Sequence, residues 1–330
     1  MNKIKIFLVI GWVFILDGYS WACWGFRPMA MGGTFVAVAD DGNCAYWNRA
    51  GAAMLDNFRD GESELVITSN VYNSNGLFSR KERLGNTYYD SMNFAQRLGK
   101  DWGWTNAMVW NGGTSFVLSP GLAFRLPDFF GVLKNQAIGI GYYLWNIESY
   151  DGQKRVNTLL HQIHLDWLWR VTKEFSVGIH GENFMRLGGT SWSPDDPNYH
   201  GTVTATGPEK VNFRPSIAWW ITPKWILNAG IYDLFNMSGV GPHYSIGTEY
   251  WLTDWFALRA GLYNFGGGGA GLNSDLVDAA PQTQTGSNGL YTFGFGWKIF
   301  PGLEFGYWGG FWEKATALDQ WTHNIGIAWK

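Results

Sequence analysis

Charge is scarce in this chain. Charged residues make up 15% of its 330 residues, against about 25% in ordinary soluble domains, and cysteine occurs only twice. Disorder is excluded, because it needs few aromatics and a high net charge, whereas 18% of residues here are aromatic and the net charge is −3. Long apolar runs are missing too. A mean hydropathy of −0.14 leaves no room for several stretches of about 20 apolar residues, which excludes a bundle of membrane-spanning helices. What is abundant is 21 Trp, 22 Phe, 15 Tyr and 44 Gly. A chain this greasy that is still slightly hydrophilic on average must hide its apolar residues by alternation, as a transmembrane β-barrel does.

The N-terminus carries an export signal. Lys3 and Lys5 precede an apolar run from Ile6 to Leu16, and Ser20-Trp21-Ala22 places small residues where a signal peptidase reads. Cleavage after Ala22 removes residues 1–22, puts Cys23 first and makes the chain one charge more negative, so no basic face for nucleic acid is expected. The two cysteines, Cys23 and Cys44, leave three readings open: a disulfide in an oxidising compartment, lipidation of Cys23, or two unpaired thiols. Lipidation departs from the usual pattern in having Ser20 where leucine is common. Neither cysteine has metal-ligand spacing, and no cofactor is expected.

Period-two alternation sets the architecture. Tyr291, Phe293, Phe295, Trp297 and Ile299 alternate with Thr292, Gly294, Gly296 and Lys298, a strand with one greasy and one polar face. Likewise Ile163, Leu165, Trp167 and Trp169 oppose Gln162, His164, Asp166 and Arg170. Phe175, Val177 and Ile179 oppose Ser176, His180 and Glu182, and Phe256, Leu258, Ala260 and Leu262 oppose Arg259, Gly261 and Tyr263. The expected lumen-facing set is therefore His164, Asp166, Arg170, His180, Glu182, Arg214, Arg259 and Lys298. Walking back from the C-terminus, short and long connections alternate through about 14 strands, the asymmetry of outer-membrane barrels. Short turns fall at 99–101, 171–173, 222–224, 252–254 and 300–302. Long loops fall near 73–87, 148–156, 187–208, 236–242, 265–288 and 313–320, with the tight Asn111-Gly-Gly113 on the long side. The end, Asn324-Ile-Gly-Ile-Ala-Trp329, is similar to the signal read by the barrel-assembly machinery, although Lys330 follows it.

The tryptophan excess follows from this. An indole suits the membrane interface, and Trp102, Trp104, Trp225, Trp251, Trp255, Trp297 and Trp329 all flank short turns, as a girdle requires. Two prolines interrupt expected strands, at Pro120-Gly121 and at Pro215. Proline cannot donate to a ladder, so each marks a bulge or gap and is a candidate border for an opening in the wall. Weaker signals carry less. Gly266 to Gly271 matches a dinucleotide fingerprint but no helix follows it. His164, Asp166 and His180 include acid-base types, but nothing in the sequence brings them together as a catalytic set, and a polar lumenal face accounts for them.

One segment resembles a known family. Gly25 to Asp41, followed by Asn43 to Leu55, is similar to the N-terminal hatch of the FadL-like long-chain fatty acid and aromatic hydrocarbon transport family, through Met31-Gly-Gly33, Ala39-Asp-Asp41 and Asn48-Arg-Ala-Gly51. Arg49 stands where that family has proline. Gly247 to Gly261 resembles the PorV-like branch of the same superfamily, whose members serve protein secretion and surface attachment. The resemblance implies a signal peptide over 1–22, a hatch over 23–61 lying inside the lumen, and a barrel over 62–330. Phe26, Met29, Met31, Gly33, Phe35, Asp40, Asp41, Asn48 and Arg49 would then form the plug and meet the substrate. Asp40 and Asp41 are offered Arg214, Arg259 or Lys298 as partners, or an ordinary Asp-Gly-Asn turn.

Two functions follow. The first is passive uptake of a hydrophobic small molecule, with outer-membrane lipid as surroundings and no energy cofactor. The second is a PorV-like role with exported proteins as partners. The loops near 187–208 and 265–288 are polar and Gly-rich, which offers little grease for capturing a fatty acid. A plain porin is disfavoured by a segment that would fill its bore. No enzymatic activity is expected.

Overall fold

The structure, a computed structural model, describes residues 25–73, 76–77, 90–110, 116–128, 131, 134–151, 154–203, 211–235, 242–265, 289–312 and 321–330. The residues of the expected signal peptide, Cys23 and most of the expected loops at 73–87, 111–113, 236–242, 265–288 and 313–320 lie outside them. Among the described residues no helix is long and apolar enough to cross a membrane, which says nothing of strands.

Sixteen strands follow the N-terminal segment: β1 (Ser63–Asn73), β2 (Gly76–Leu77), β3 (Asp90–Leu98), β4 (Trp102–Trp110), β5 (Phe116–Arg125), β6 (Gln136–Asp151), β7 (Lys154–Arg170), β8 (Phe175–Ser193), β9 (Asp196–Val203), β10 (Asn212–Thr222), β11 (Trp225–Tyr232), β12 (His243–Trp251), β13 (Phe256–Phe265), β14 (Leu290–Phe300), β15 (Leu303–Trp312) and β16 (Trp321–Trp329). Two of them stand outside the ring: β2 pairs only with β1, and β9 only with the far end of β8. The other fourteen close into an antiparallel barrel, through β8 with β10 and through β1 with β16, where Leu65 faces Trp329 and Ile67 faces Ile327. Closure satisfies every edge, the condition for crossing a bilayer with strands.

The alternation read from the sequence is the alternation of faces. Leu122, Ile138, Ile140, Ile217, Ile246, Leu258 and Ile327 are exposed on the outside, and their strand neighbours are buried inside. Trp102, Trp104, Trp225 and Trp255 are outward and exposed near the short turns, as the girdle requires. Trp251 is a correction: it lies on the lumenal face, where its Nε1–H donates to Glu249 Oε1 at 3.1 Å and the Lys298 ammonium sits 4.0 Å from its ring. Glu249, two residues along the strand, and Lys298, two strands over, outcompete the interface for this indole.

The short turns form because a threonine organises them. Thr172 Oγ1 accepts from the amides of Glu174 and Phe175 at 3.0 Å each, and Thr253 Oγ1 does the same for Trp255 and Phe256. Three connections differ from expectation. The stretch 148–156 is not a long loop: β6 and β7 continue through it to a pairing of Asp151 with Lys154, the ladder running on into mostly polar residues. The stretch 187–208 is in large part a hairpin of β8 and β9, held to β7 by Thr158 and Ser191 hydroxyls 3.0 Å apart and by Arg155 with Asp195 at 3.3 Å. At the short-turn end, β5 and β6 are joined by a longer connection, 126–135.

Candidate functional site

The segment from 25 to 58 lies inside the ring and touches all fourteen of its strands. Its local folding is stepwise. A short helix, α1 (Phe26–Ala30), ends at Met31, and a second, α2 (Cys44–Trp47), is preceded by a turn in which Asp41 Oδ1 accepts from the Asn43 amide at 2.8 Å. Asn48 then caps a 3-10 helix over Arg49–Met54: its Oδ1 accepts from the Ala50 amide at 3.1 Å. The same side chain donates to the Val36 and Trp167 carbonyls at 2.8 and 3.0 Å, so one asparagine joins two parts of the segment and the wall.

The wall makes room by being small. Many inward positions around the segment are alanine, as at Ala95, Ala123, Ala137, Ala218, Ala257 and Ala328, or glycine. Two glycine pairs show why. The Phe26 ring rests on Gly306 and Gly326, and the Arg49 side chain on Gly121 and Gly141; a Cβ at any of the four would collide with it.

Charge networks pin both ends. Arg27 forms a two-pronged bridge to Glu249, each N to O distance 2.8 Å, and its Nη1 also reaches Asp40 at 2.6 Å and Asp41 at 2.7 Å. Glu249 accepts in turn from Arg259 at 2.7 Å, and Arg259 reaches Glu304 at 2.8 Å. The expected pairing of Asp40 and Asp41 is thus corrected: their partner is Arg27 of the same segment. Arg214 pairs with Glu182 instead, Arg259 with Glu249, and Lys298 lies over Trp251. Burial holds the Asp41 carboxyl above its ordinary range, with Arg27 opposing. Cys44 is buried, and burial with the nearby carboxylates pushes its thiol up. At the other end, Arg49 donates through its amide and Nη1 to Asp166 Oδ2, both at 3.1 Å, and through Nη2 to Ser119 Oγ at 2.5 Å. His180 Nδ1 meets the other Asp166 oxygen at 2.5 Å.

The remaining expected residues have identifiable roles. Met29, Met31 and Phe35 are buried in the apolar cluster, Phe35 beneath Arg27, and Tyr232 donates to the Gly33 carbonyl at 3.4 Å. Arg170 sits over the Trp220 ring. Pro215 pairs with Ile179 in an unbroken β8–β10 ladder, and the β10–β11 ladder begins one residue later at Ser216. Pro120 differs: the β5–β6 ladder holds one register from Phe116 to Arg125 yet lacks pairs at Ser119 and Pro120. Sequence reasoning missed Glu249, the hub of the first network. It also missed a second set of inward side chains, Tyr143, Trp145, Leu160, Leu290 and Trp308, buried with Tyr46 and Trp47 of the segment and with Tyr263, whose inward face the alternation gives. Strand parity alone would have found them. Among the described residues no group of His, Cys, Asp and Glu is arranged to hold a metal ion.

A closed fourteen-stranded ring, greasy outside and girdled by tryptophan, is a membrane-spanning barrel of the outer-membrane type. In fold it is similar to a Pseudomonas aeruginosa FadL homologue, with a TM-score of 0.56 at 10% identity over 95% of this chain and 99% of that one. It is also similar to the Pseudomonas putida toluene transporter TodX, with a TM-score of 0.55 at 13% identity over 95% and 98%. The CymD monoaromatic hydrocarbon channel gives a TM-score of 0.53 at 12% identity over 96% and 98%. The fold is therefore FadL-like. No protein-family model matches the chain, and no curated protein matches it in sequence.

Proposed function

We propose that this protein is an outer-membrane channel for passive uptake of hydrophobic small molecules of the aromatic-hydrocarbon type, with the N-terminal segment as its plug. The observation that carries the reading is the buried apolar and aromatic lining of the inner wall, Tyr143, Trp145, Leu160, Tyr232, Tyr263 and Trp308, where a water-filled porin presents polar side chains. The fold shared with TodX and CymD supports it. The stretch 247–261, whose sequence is similar to secretion barrels, is accounted for by packing: Gly247, Glu249, Arg259 and Gly261 all meet the N-terminal segment or its charge network. Lateral exit is assigned to the ladder gap at Ser119 and Pro120. Outside it stand Asn106, opposite Pro120, and the hydrogen-bonded pair of Tyr142 and His161, polar groups on an otherwise apolar face.

The test uses the full-length protein in liposomes, following entry of labelled toluene and of a small sugar. Toluene entry above protein-free vesicles with the sugar excluded is expected; equal entry with and without protein refutes the channel. Pro120→Thr returns a backbone donor to the gap and is expected to lower toluene flux several-fold, while unchanged flux moves the exit elsewhere.

A further inference from the structure

One part of the inner wall is built differently from the rest. On the adjacent strands β6, β7, β8, β10 and β11, the inward side chains Tyr143, Gln162, His164, Glu182, Arg214 and Tyr232 form a buried patch beside Tyr46 of the segment. Its sides are aromatic. Tyr143 stacks on His164 with ring centroids 4.4 Å apart and planes at 16°, and the Arg214 guanidinium lies 4.2 Å over the Tyr232 ring. Its charges are already matched, Arg214 by Glu182 and Asp166 by Arg49 and His180.

Several of its other polar atoms are not matched. Among the described residues Gln162, 0% exposed, has no hydrogen-bond partner for its amide oxygen or its amide nitrogen, Nε of Arg214 has none either, and the two ring nitrogens of His164 have no partner beyond Asn183. Buried polar atoms are almost always satisfied, and each orphan costs about 1–3 kcal/mol. Apolar side chains such as Val109, Val117 and Leu290, which line other parts of the wall, would avoid that cost, so the patch is equipped for something that supplies both a donor and an acceptor. The backbone gives a second, independent sign. The β7–β8 register shifts between Ile163 and Leu165, opposite a bulge at Glu182 to Phe184 with Asn183 at φ 56, which leaves His164, paired with Gly141 on β6, without a partner on β8 and aims Glu182 at Arg214. Bulges of this kind re-aim side chains beside binding sites.

We infer that this patch binds a neutral aromatic compound carrying a hydrogen-bonding substituent, of the phenol type, in preference to a plain hydrocarbon or a carboxylate. The inference rests on the channel reading above and narrows its substrate class. A phenolic ring stacks against the tyrosine faces, its hydroxyl donates to Gln162 Oε1 or a His164 nitrogen, and its oxygen accepts from Gln162 Nε2 or Arg214 Nε. A carboxylate gains little, because Arg214 is already neutralised by Glu182. A plain hydrocarbon leaves every orphan unpaired.

Phenol and toluene are nearly the same shape, which isolates the hydroxyl. Equilibrium dialysis of the full-length protein in detergent, with labelled phenol, toluene and benzoate, is expected to show phenol bound about tenfold tighter than either, the worth of one or two recovered hydrogen bonds. Gln162→Leu, which keeps volume and removes an unsatisfied amide, is expected to bring phenol and toluene within about twofold of each other. His164→Phe keeps the stacked ring and is expected to reduce the preference in the same direction. Equal binding of phenol and toluene by the native protein, a preference for benzoate, or a phenol preference untouched by both substitutions overturns the inference while leaving the channel standing. Absence of binding by all three compounds, together with no toluene flux into liposomes, removes the channel reading as well.

Discussion

Glu249→Ala is expected to unseat the N-terminal segment. Glu249 is fully buried and receives Arg27 from the segment and Arg259 from the wall, so its removal strands two guanidinium groups that share one carboxylate. Breaking a buried pair by deleting one member costs about 3–5 kcal/mol, because the remaining charge stays desolvated. Asp40 and Asp41 hold one side of Arg27 and Glu304 one side of Arg259, which puts the loss at the lower end of that range. Cys44 supplies the readout. It is buried in the segment against Ala39, and in a Cys23→Ser background its reaction with a thiol reagent reports how often the segment leaves its seat. A loss of about 3 kcal/mol raises that open population by about a hundredfold, and the labelling rate should rise in proportion. Glu249→Gln keeps two acceptor or donor atoms in place and should fall between the native protein and the alanine variant. Labelling of Glu249→Ala no faster than native would mean that the Arg27 and Arg259 network does not hold the segment.

How much of this was readable beforehand follows from what alternation can and cannot encode. Which face of β7, β8, β13 and β14 looks outward is written in period two, because every second residue must suit lipid. The segment at 25–55 was visible through its similarity to the FadL-like hatch, and its Gly32 and Gly33 suit the place because they lie against the wall backbone and Tyr263 too closely for a Cβ. Partner choice was not visible. Asp40 and Asp41 turn to Arg27, 13 and 14 residues away, because the segment folds back on itself between α1 and α2, and no strand pattern records such a fold. The face of Trp251 was hidden for a related reason: an indole suits both the interface and a lumenal charge pair, and the outcome is decided by Glu249 and Lys298. Strand ends were overlooked where the ladder runs on into mostly polar residues that carry no period-two pattern, as in β6 and β7.

Arg49→Ala is expected to be as damaging at the opposite end of the segment, and a double substitution shows why. Arg49 is fully buried, lies flat over Gly121 and Gly141, and reaches Asp166 on β7 and Ser119 on β5. It thus ties the segment to the wall beside the ladder gap, from the position where the resembling family has proline. Truncation to alanine leaves the Asp166 carboxylate buried with His180 as its remaining side-chain partner, removes the partner of the Ser119 hydroxyl and opens space over two glycines that no neighbour is large enough to fill. The expected loss is about 3–5 kcal/mol from the orphaned charge, read as faster Cys44 labelling and a lower melting temperature in detergent. Asp166→Asn removes the charge that Arg49 neutralises while keeping a similar shape. If the pair carries the effect, Arg49→Ala with Asp166→Asn loses less than Arg49→Ala alone, since no buried anion is left to strand, and the coupling energy of the cycle is about 1–3 kcal/mol. Additive losses would instead assign the role of Arg49 to its packing over Gly121 and Gly141. In that case Arg49→Met, which keeps the stem without the charge, should restore Cys44 protection where Arg49→Ala does not.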